Sequence, residues 1–154
     1  MEPKFIKKDK TILVGLLNIA DKNSNFGEFW DKFFSELNNI SNRSDYKVCY
    51  GLEAYPPEFQ ETDLFYYMPC VEIKNIDIVP NNMFIKVLPE SEYAVFKVKG
   101  LQNISKTFHY VFHHWLPNSG YKMSGAYDFE YYDERFDSNN ENSEIDLYIP
   151  IKKE

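Results

Sequence analysis

Glu130 sits inside Tyr127-Asp-Phe-Glu-Tyr-Tyr132, a carboxylate in a run of aromatic rings. Glu and Asp are seldom buried unless something pairs with them. The placement therefore reads in one of two ways. Either the carboxylate points to solvent from an edge strand, or it faces a ring-lined pocket and serves a cation or a proton transfer. In an extended chain the i±2 neighbours Asp128 and Tyr132 share its face, whereas Phe129 and Tyr131 face away. Just upstream, His114-Trp-Leu-Pro-Asn-Ser-Gly-Tyr121 reads as a helix ending at Trp115 and Pro117, which leads into the Glu130 strand. Trp115, Tyr67, Tyr148, Tyr132 and Tyr127 are the rings expected to bind a ligand beside Glu130. A ring face contributes about 0.5–2 kcal/mol to a cation. An unpaired buried carboxylate is costly, and burial raises its pKa. A cationic ligand would remove that cost, and the same raised pKa would suit a general acid or base. The residues are thus compatible with binding and with hydrolysis by Glu130, and they do not choose. Competing roles exist for each: Trp115 also fits a helix core stripe, and Tyr67 and Tyr148 also fit a solvated sheet face. Glu53 could be a second carboxylate of the same site.

Other chemistry is thinly represented. His109 and His113 have the i, i+4 spacing of a helical zinc pair, but Tyr110 stands where a catalytic Glu would follow, and both fall on the polar flank of their helix. No Ser-His-Asp order or phosphate-binding glycine loop is present. No metal and no cofactor is called for. Cys49 and Cys70 fit no zinc spacing and read as free thiols, although their two strands could bring them close. The chain of 154 residues carries a formal net charge of −7, which favours cationic ligands over nucleic acid. Aromatic residues make up 18%, more than a core of this size needs. No apolar run is long enough to span a bilayer, and the N-terminus lacks an apolar signal region, so the expected compartment is the cytoplasm.

The elements that must position these residues follow from hydrophobic periodicity. Strands are expected at residues 5–8 and 11–19 around a charged turn, then a helix at 26–40. Its stripe Phe26, Phe29, Trp30, Phe33, Phe34, Leu37 and Ile40 has helical spacing, with Asn25 as its cap. Strands follow at 46–53 and 64–73, then an irregular polar connector at 74–82. The order then repeats: strands at 83–88 and 92–99, a helix at 104–116 stopped by Pro117, and strands at 127–135 and 144–151. In the last strand Ile145, Leu147, Ile149 and Ile151 share one face, as expected beneath a helix.

The two halves, about 1–78 and 79–154, read as copies of one strand-strand-helix-strand-strand unit. Phe5-Ile-Lys7 matches Phe84-Ile-Lys86, Phe29-Trp30 matches Trp115, Gly51-Leu-Glu-Ala-Tyr55 matches Asp128-Phe-Glu-Tyr-Tyr132, and Tyr67-Met-Pro69 matches Tyr148-Ile-Pro150. The expected fold is α+β: antiparallel sheets in a tandem pseudo-twofold repeat, helices on one face, and a central ligand groove on the axis.

With Tyr50-Gly51, Phe65-Tyr-Tyr-Met-Pro-Cys-Val-Glu-Ile73, Tyr93-Ala-Val-Phe-Lys-Val-Lys-Gly100 and Ile145-Asp-Leu-Tyr-Ile-Pro-Ile151 added to the Trp115–Tyr132 stretch, the whole chain resembles a GyrI-like (gyrase-inhibitor-like) domain. That domain is also the effector-binding domain of AraC-type and MerR-type regulators. The resemblance implies a stand-alone small-molecule-binding domain over residues 1–154, taking lipophilic and often cationic ligands between rings, with the family's acidic residue at Glu130. It also implies two alternatives: a hydrolase of reactive cyclopropane-type molecules using the same Glu, or a regulatory partner of an enzyme such as gyrase. Direct DNA binding and membrane association are not expected.

Overall fold

A computed structural model describes all residues, Met1–Glu154. Its strands are β1 (Lys4–Lys8), β2 (Thr11–Gly15), β3 (Asn18–Ala20), β4 (Cys49–Ala54), β5 (Phe65–Ile73), β6 (Phe84–Leu88), β7 (Ser91–Lys99), β8 (Tyr121–Met123), β9 (Tyr127–Tyr132) and β10 (Glu144–Lys153). The helices are α1 (Phe26–Glu36), the single turn α2 (Phe59–Thr62), α3 (Ile104–Tyr110) and α4 (Leu116–Asn118). All ten strands join one antiparallel sheet, whose main path runs β1-β7-β10-β9-β4-β5-β2-β6. The two expected half-sheets fuse through the six-residue β4–β9 ladder, in which Gly51 faces Glu130 and Glu53 faces Asp128.

The strand that opens each unit does not stay with it. β1 edges the second half, pairing Lys8 with Ser91, and β6 edges the first half, pairing Leu88 with Thr11. The two short connections, Asp9-Lys10 and Pro89-Glu90, are therefore related by the pseudo-twofold and superpose Thr11 on Ser91. Following the ladders inward from that match relates Val14 to Ala94, Val71 to Ile149 and Gly51 to Glu130. The axis thus passes between Gly51 and Glu130. The expected matches of Glu53 with Glu130 and of Tyr67 with Tyr148 are out of register, because the sequence similarity carrying them is shifted along the strands. Tyr67 and Tyr148 in fact lie on opposite faces of the sheet.

Both long helices cover one face. Asn25 caps α1 by accepting from the Glu28 N–H at 3.3 Å. α1 buries Phe33 against Val14, Val71 and Ile73. α3 and the wide turn after it bury Val111 against Ala94, Phe96, Ile145, Leu147 and Ile149, so the last strand meets its helix on the expected isoleucine face. Pro117 does not stop that helix. The residues Val111–Trp115 form a π turn in which the Leu116 N–H donates to the Val111 carbonyl, and the helix continues to Asn118. The widened turn accommodates a proline that an α-helical turn would reject.

The other face has a core of its own, including Tyr50, Leu52, Met68, Cys70, Tyr93, Tyr127 and Phe129. Strand alternation sends Cys70 into this core and turns the neighbouring-strand Cys49 toward the α1 side, so the two thiols are free. His109 and His113 lie on the exposed flank of their helix with rings 4.4 Å apart. No helix is long and apolar enough to cross a membrane.

Candidate functional site

β4 and β9 are the central strands, and on the helix-bearing face they carry Gly51, Glu53, Asp128, Glu130 and Tyr132. Three carboxylates are thereby brought together under cover: Asp128 is 0% exposed, Glu53 5% and Glu130 6%. Glu130 Oε1 accepts from the Tyr67 hydroxyl at 2.8 Å and from the Tyr132 hydroxyl at 2.7 Å. Trp30 Nε1 of α1 donates to the Tyr67 oxygen at 2.9 Å, completing a relay from helix to acid. Tyr55 donates to Asp128 Oδ2 at 2.8 Å. Glu53 lies between Asp128 and Glu130, close enough to exchange hydrogen bonds with both.

Gly51 makes room for this arrangement. A Cβ there would stand 2.6 Å from Glu130 Oε1 and 2.6 Å from the Tyr67 hydroxyl. At the pseudo-twofold, one half supplies the charge and the other supplies the space.

Rings close the cluster from outside. Phe26 meets Tyr67 edge-on at 4.8 Å, Trp30 meets Tyr132 edge-on at 5.2 Å, and Phe136 meets Tyr132 at 5.0 Å. Tyr55 packs on Phe59 at 5.0 Å, which places α2 over the Asp128 end. Phe26, Phe29, Trp30, Tyr55, Phe59, Tyr132 and Phe136 are all half-buried. An open depression of about 410 Å³ lies elsewhere, walled by Lys10, Ile12, Ser44, Glu72, Ile73, Lys74, Asn75 and Ile76, with no aromatic ring.

Three carboxyl groups in one dry site cannot all ionise. Burial, then the charges of Glu130 and Asp128, push Glu53 well above the ordinary carboxylate value. Burial pushes Asp128 up to about 7, against hydrogen bonds from Tyr55 and Glu53 that pull it down. Glu130 is also raised by burial, but the Tyr132, Tyr67 and Glu53 hydrogen bonds oppose the rise. Burial and its acidic neighbours therefore favour the protonated form of Glu53, and Glu130 is the acid with the most donors supporting its charged form.

Of the six residues expected from sequence to bind ligand, the structure brings three together: Glu130, Tyr67 and Tyr132. The others lie apart, and the geometry corrects their placement. Trp115 is in the core under the second helix, edge-on to Phe96 at 5.2 Å and stacked with Tyr121 at 6.3 Å. Tyr127 and Tyr148 occupy the opposite face of the sheet, because they alternate with the site-facing residues of their strands. Tyr127 bonds Tyr93 at 2.8 Å, and Tyr148 stacks on Phe129 at 4.7 Å. The tryptophan at the acid cluster is Trp30, the sequence counterpart of Trp115. Trp30, Tyr55, Phe26 and Asp128 were not among the expected ligand-binding residues. The signal for Asp128 was its shared face with Glu130, and the signal for Trp30 was its stripe of five rings, too many for one buried seam.

One sheet, two helices on one face, and buried acids beneath rings at their junction define a GyrI-like effector-binding domain, a fold that takes small molecules. Residues 5–151 match the family described as Cass2, integron-associated effector binding protein, and the chain belongs to that family. The transcriptional regulator BrlR of Pseudomonas aeruginosa is 30% identical over 154 residues, covering 98% of this chain and 56% of BrlR, so the chain spans about half the length of that curated relative. The structure of SAV2435 bound to tetraphenylphosphonium has a TM-score of 0.79 at 19% identity, covering 99% of this chain and 94% of that one. The EcmrR C-terminal domain has a TM-score of 0.77 at 13% identity, covering 99% and 98%.

Proposed function

We propose that residues 1–154 act as one effector-binding unit for lipophilic aromatic cations, with Glu130 as counter-charge and Trp30, Tyr67 and Tyr132 as the rings around the ligand. The protein would sense or sequester such compounds. The observation that carries this reading is the pair of tyrosine hydroxyls on Glu130 Oε1 beneath the indole of Trp30. Donors on a carboxylate favour its charged form, which suits a counter-ion better than a general acid. Buried negative charge and ring faces are the two terms that attract a flat cation. SAV2435, a fold neighbour, was solved with tetraphenylphosphonium bound, a ligand of this class.

Tetraphenylphosphonium titrated into the protein should quench Trp30 fluorescence with saturation. Glu130→Gln keeps the shape and removes the charge, and should weaken binding about thirtyfold or more, since breaking a buried charge pair costs about 2–5 kcal/mol. Equal affinity of the variant and the wild type would remove Glu130 from the role given to it.

A further inference from the structure

All three histidines of the chain lie on the second helix and its wide turn, His109 in α3 and His113 and His114 in the π turn, and all three are exposed. The acid cluster uses none of them. The π turn sets their spacing. Along an α-helical flank residue i meets i+4; where the bonds widen to i→i+5, residue i stands between i+4 and i+5. His109 therefore faces His113, with ring centres 4.4 Å apart, and also His114, at 5.9 Å. His114 is drawn aside, since its ring stacks with Tyr110 at 6.1 Å. The rings of His109 and His113 take part in no hydrogen bond or ion pair with the protein, which leaves their nitrogens free. The backbone beneath them is fixed. Val111 is buried, Phe108 and Phe112 pack on the β7–β10 core, and Thr107 Oγ1 donates to the Asn103 carbonyl at 2.8 Å. Two free imidazoles on a pinned helix flank lose little freedom in meeting one common partner.

Imidazole nitrogen is a ligand for late first-row divalent metals. Such a metal lies about 2.0–2.1 Å from the nitrogen, hence about 3.2 Å from the ring centre. Two rings on one metal then have centres about 4.5 Å apart at a right angle and about 5.2 Å apart at the tetrahedral angle. The 4.4 Å separation of His109 and His113 fits the right angle. That is the angle between neighbouring ligands in the tetragonal geometry of Cu2+ and Ni2+, whereas Zn2+ favours the tetrahedron. We propose that His109 and His113 form a two-imidazole chelate for Ni2+ or Cu2+, with water in the remaining positions. No third His, Cys, Asp or Glu side chain is placed to complete a cage. Tyr110 stands where a hydrolytic zinc helix carries its general base, so the site is a binding site and not a catalytic one.

Ni2+ is the probe. Calorimetric titration of the full chain in a non-coordinating buffer should show one saturable Ni2+ per chain, and Zn2+ should bind more weakly. His109→Asn and His113→Asn change exposed side chains and leave the helix core intact. Each keeps only one of the two ligands and should weaken Ni2+ binding at least about tenfold, because the second imidazole acts at high effective concentration. Saturating Ni2+ should also raise the thermal midpoint of the wild type and leave that of both variants unmoved. Absence of saturable Ni2+ binding by the wild type overturns the site. Equal affinity of wild type and both variants, or a loss caused only by His114→Asn, shows an adventitious ion only and overturns the chelate. Tighter binding of Zn2+ than of Ni2+ overturns the right-angle geometry on which the choice of metal stands.

Discussion

Asp128→Asn isolates what the buried acids do to stability. Asp128 is fully buried, and its carboxyl is pushed from an ordinary 3.8 up to about 7. The folded protein thus binds this proton more tightly than the unfolded chain does. For a group raised in this way, the stabilisation is fully present below the unfolded value and is lost as pH rises through the folded value. Glu53 is raised well above the ordinary carboxylate value by the same burial and by the charges of Glu130 and Asp128. The interval from 3.8 to about 7, at about 1.36 kcal/mol per pH unit, corresponds to up to about 4 kcal/mol. Wild-type stability should therefore fall between about pH 4 and pH 8. Asparagine keeps an oxygen for the Tyr55 hydroxyl and has no charge to desolvate. The variant should match wild type within about 1 kcal/mol near pH 4 and exceed it by about 2–4 kcal/mol at pH 8. Urea unfolding at intervals across that range measures both curves. Parallel curves, or a wild type that grows more stable with pH, would refute the claim that Asp128 is held uncharged by burial among acids.

Three further outcomes follow from the same geometry. Gly51→Ala pushes a methyl into Glu130 Oε1 and the Tyr67 hydroxyl, and should cost about 1–3 kcal/mol of stability and weaken cation binding, read by urea unfolding and by titration. Trp30→Phe keeps a ring but loses the Nε1 donor to Tyr67, so cation affinity should fall by about 1 kcal/mol while the unfolding midpoint barely moves. Trp115→Ala should do the reverse, losing about 2–4 kcal/mol of stability from the second-helix core with cation affinity unchanged within about twofold.

Much of the frame is legible in the chain because each element repeats a simple period. The α1 stripe, the alternating isoleucines of β10 and the apolar run of β2 announced their elements and their buried faces. Which strands pair is not written locally. Nothing near Lys8 says that β1 leaves its own unit to meet Ser91, since that exchange is decided by the whole sheet. Loose repeat matches also mislead by a residue or two, and on a strand one residue changes the face. That slip placed Tyr148 beside Tyr67 and hid the equivalence of Glu130 with Gly51. Glu130, Tyr67 and Tyr132 were recoverable because two lie on one strand and the third on the neighbour of its partner strand. Trp30 reaches them only through the packing of α1 on β5, which no spacing rule specifies.

The most direct test of the cation site is a crystal structure of the protein with tetraphenylphosphonium. The cation centre is predicted between the α1 rings and the β4–β9 strands, within reach of Glu130, with Trp30 or Tyr132 displaced to admit it. A cation found instead in the Lys10–Glu72 depression, or resting outside the rings with the three carboxylates undisturbed, would contradict the account.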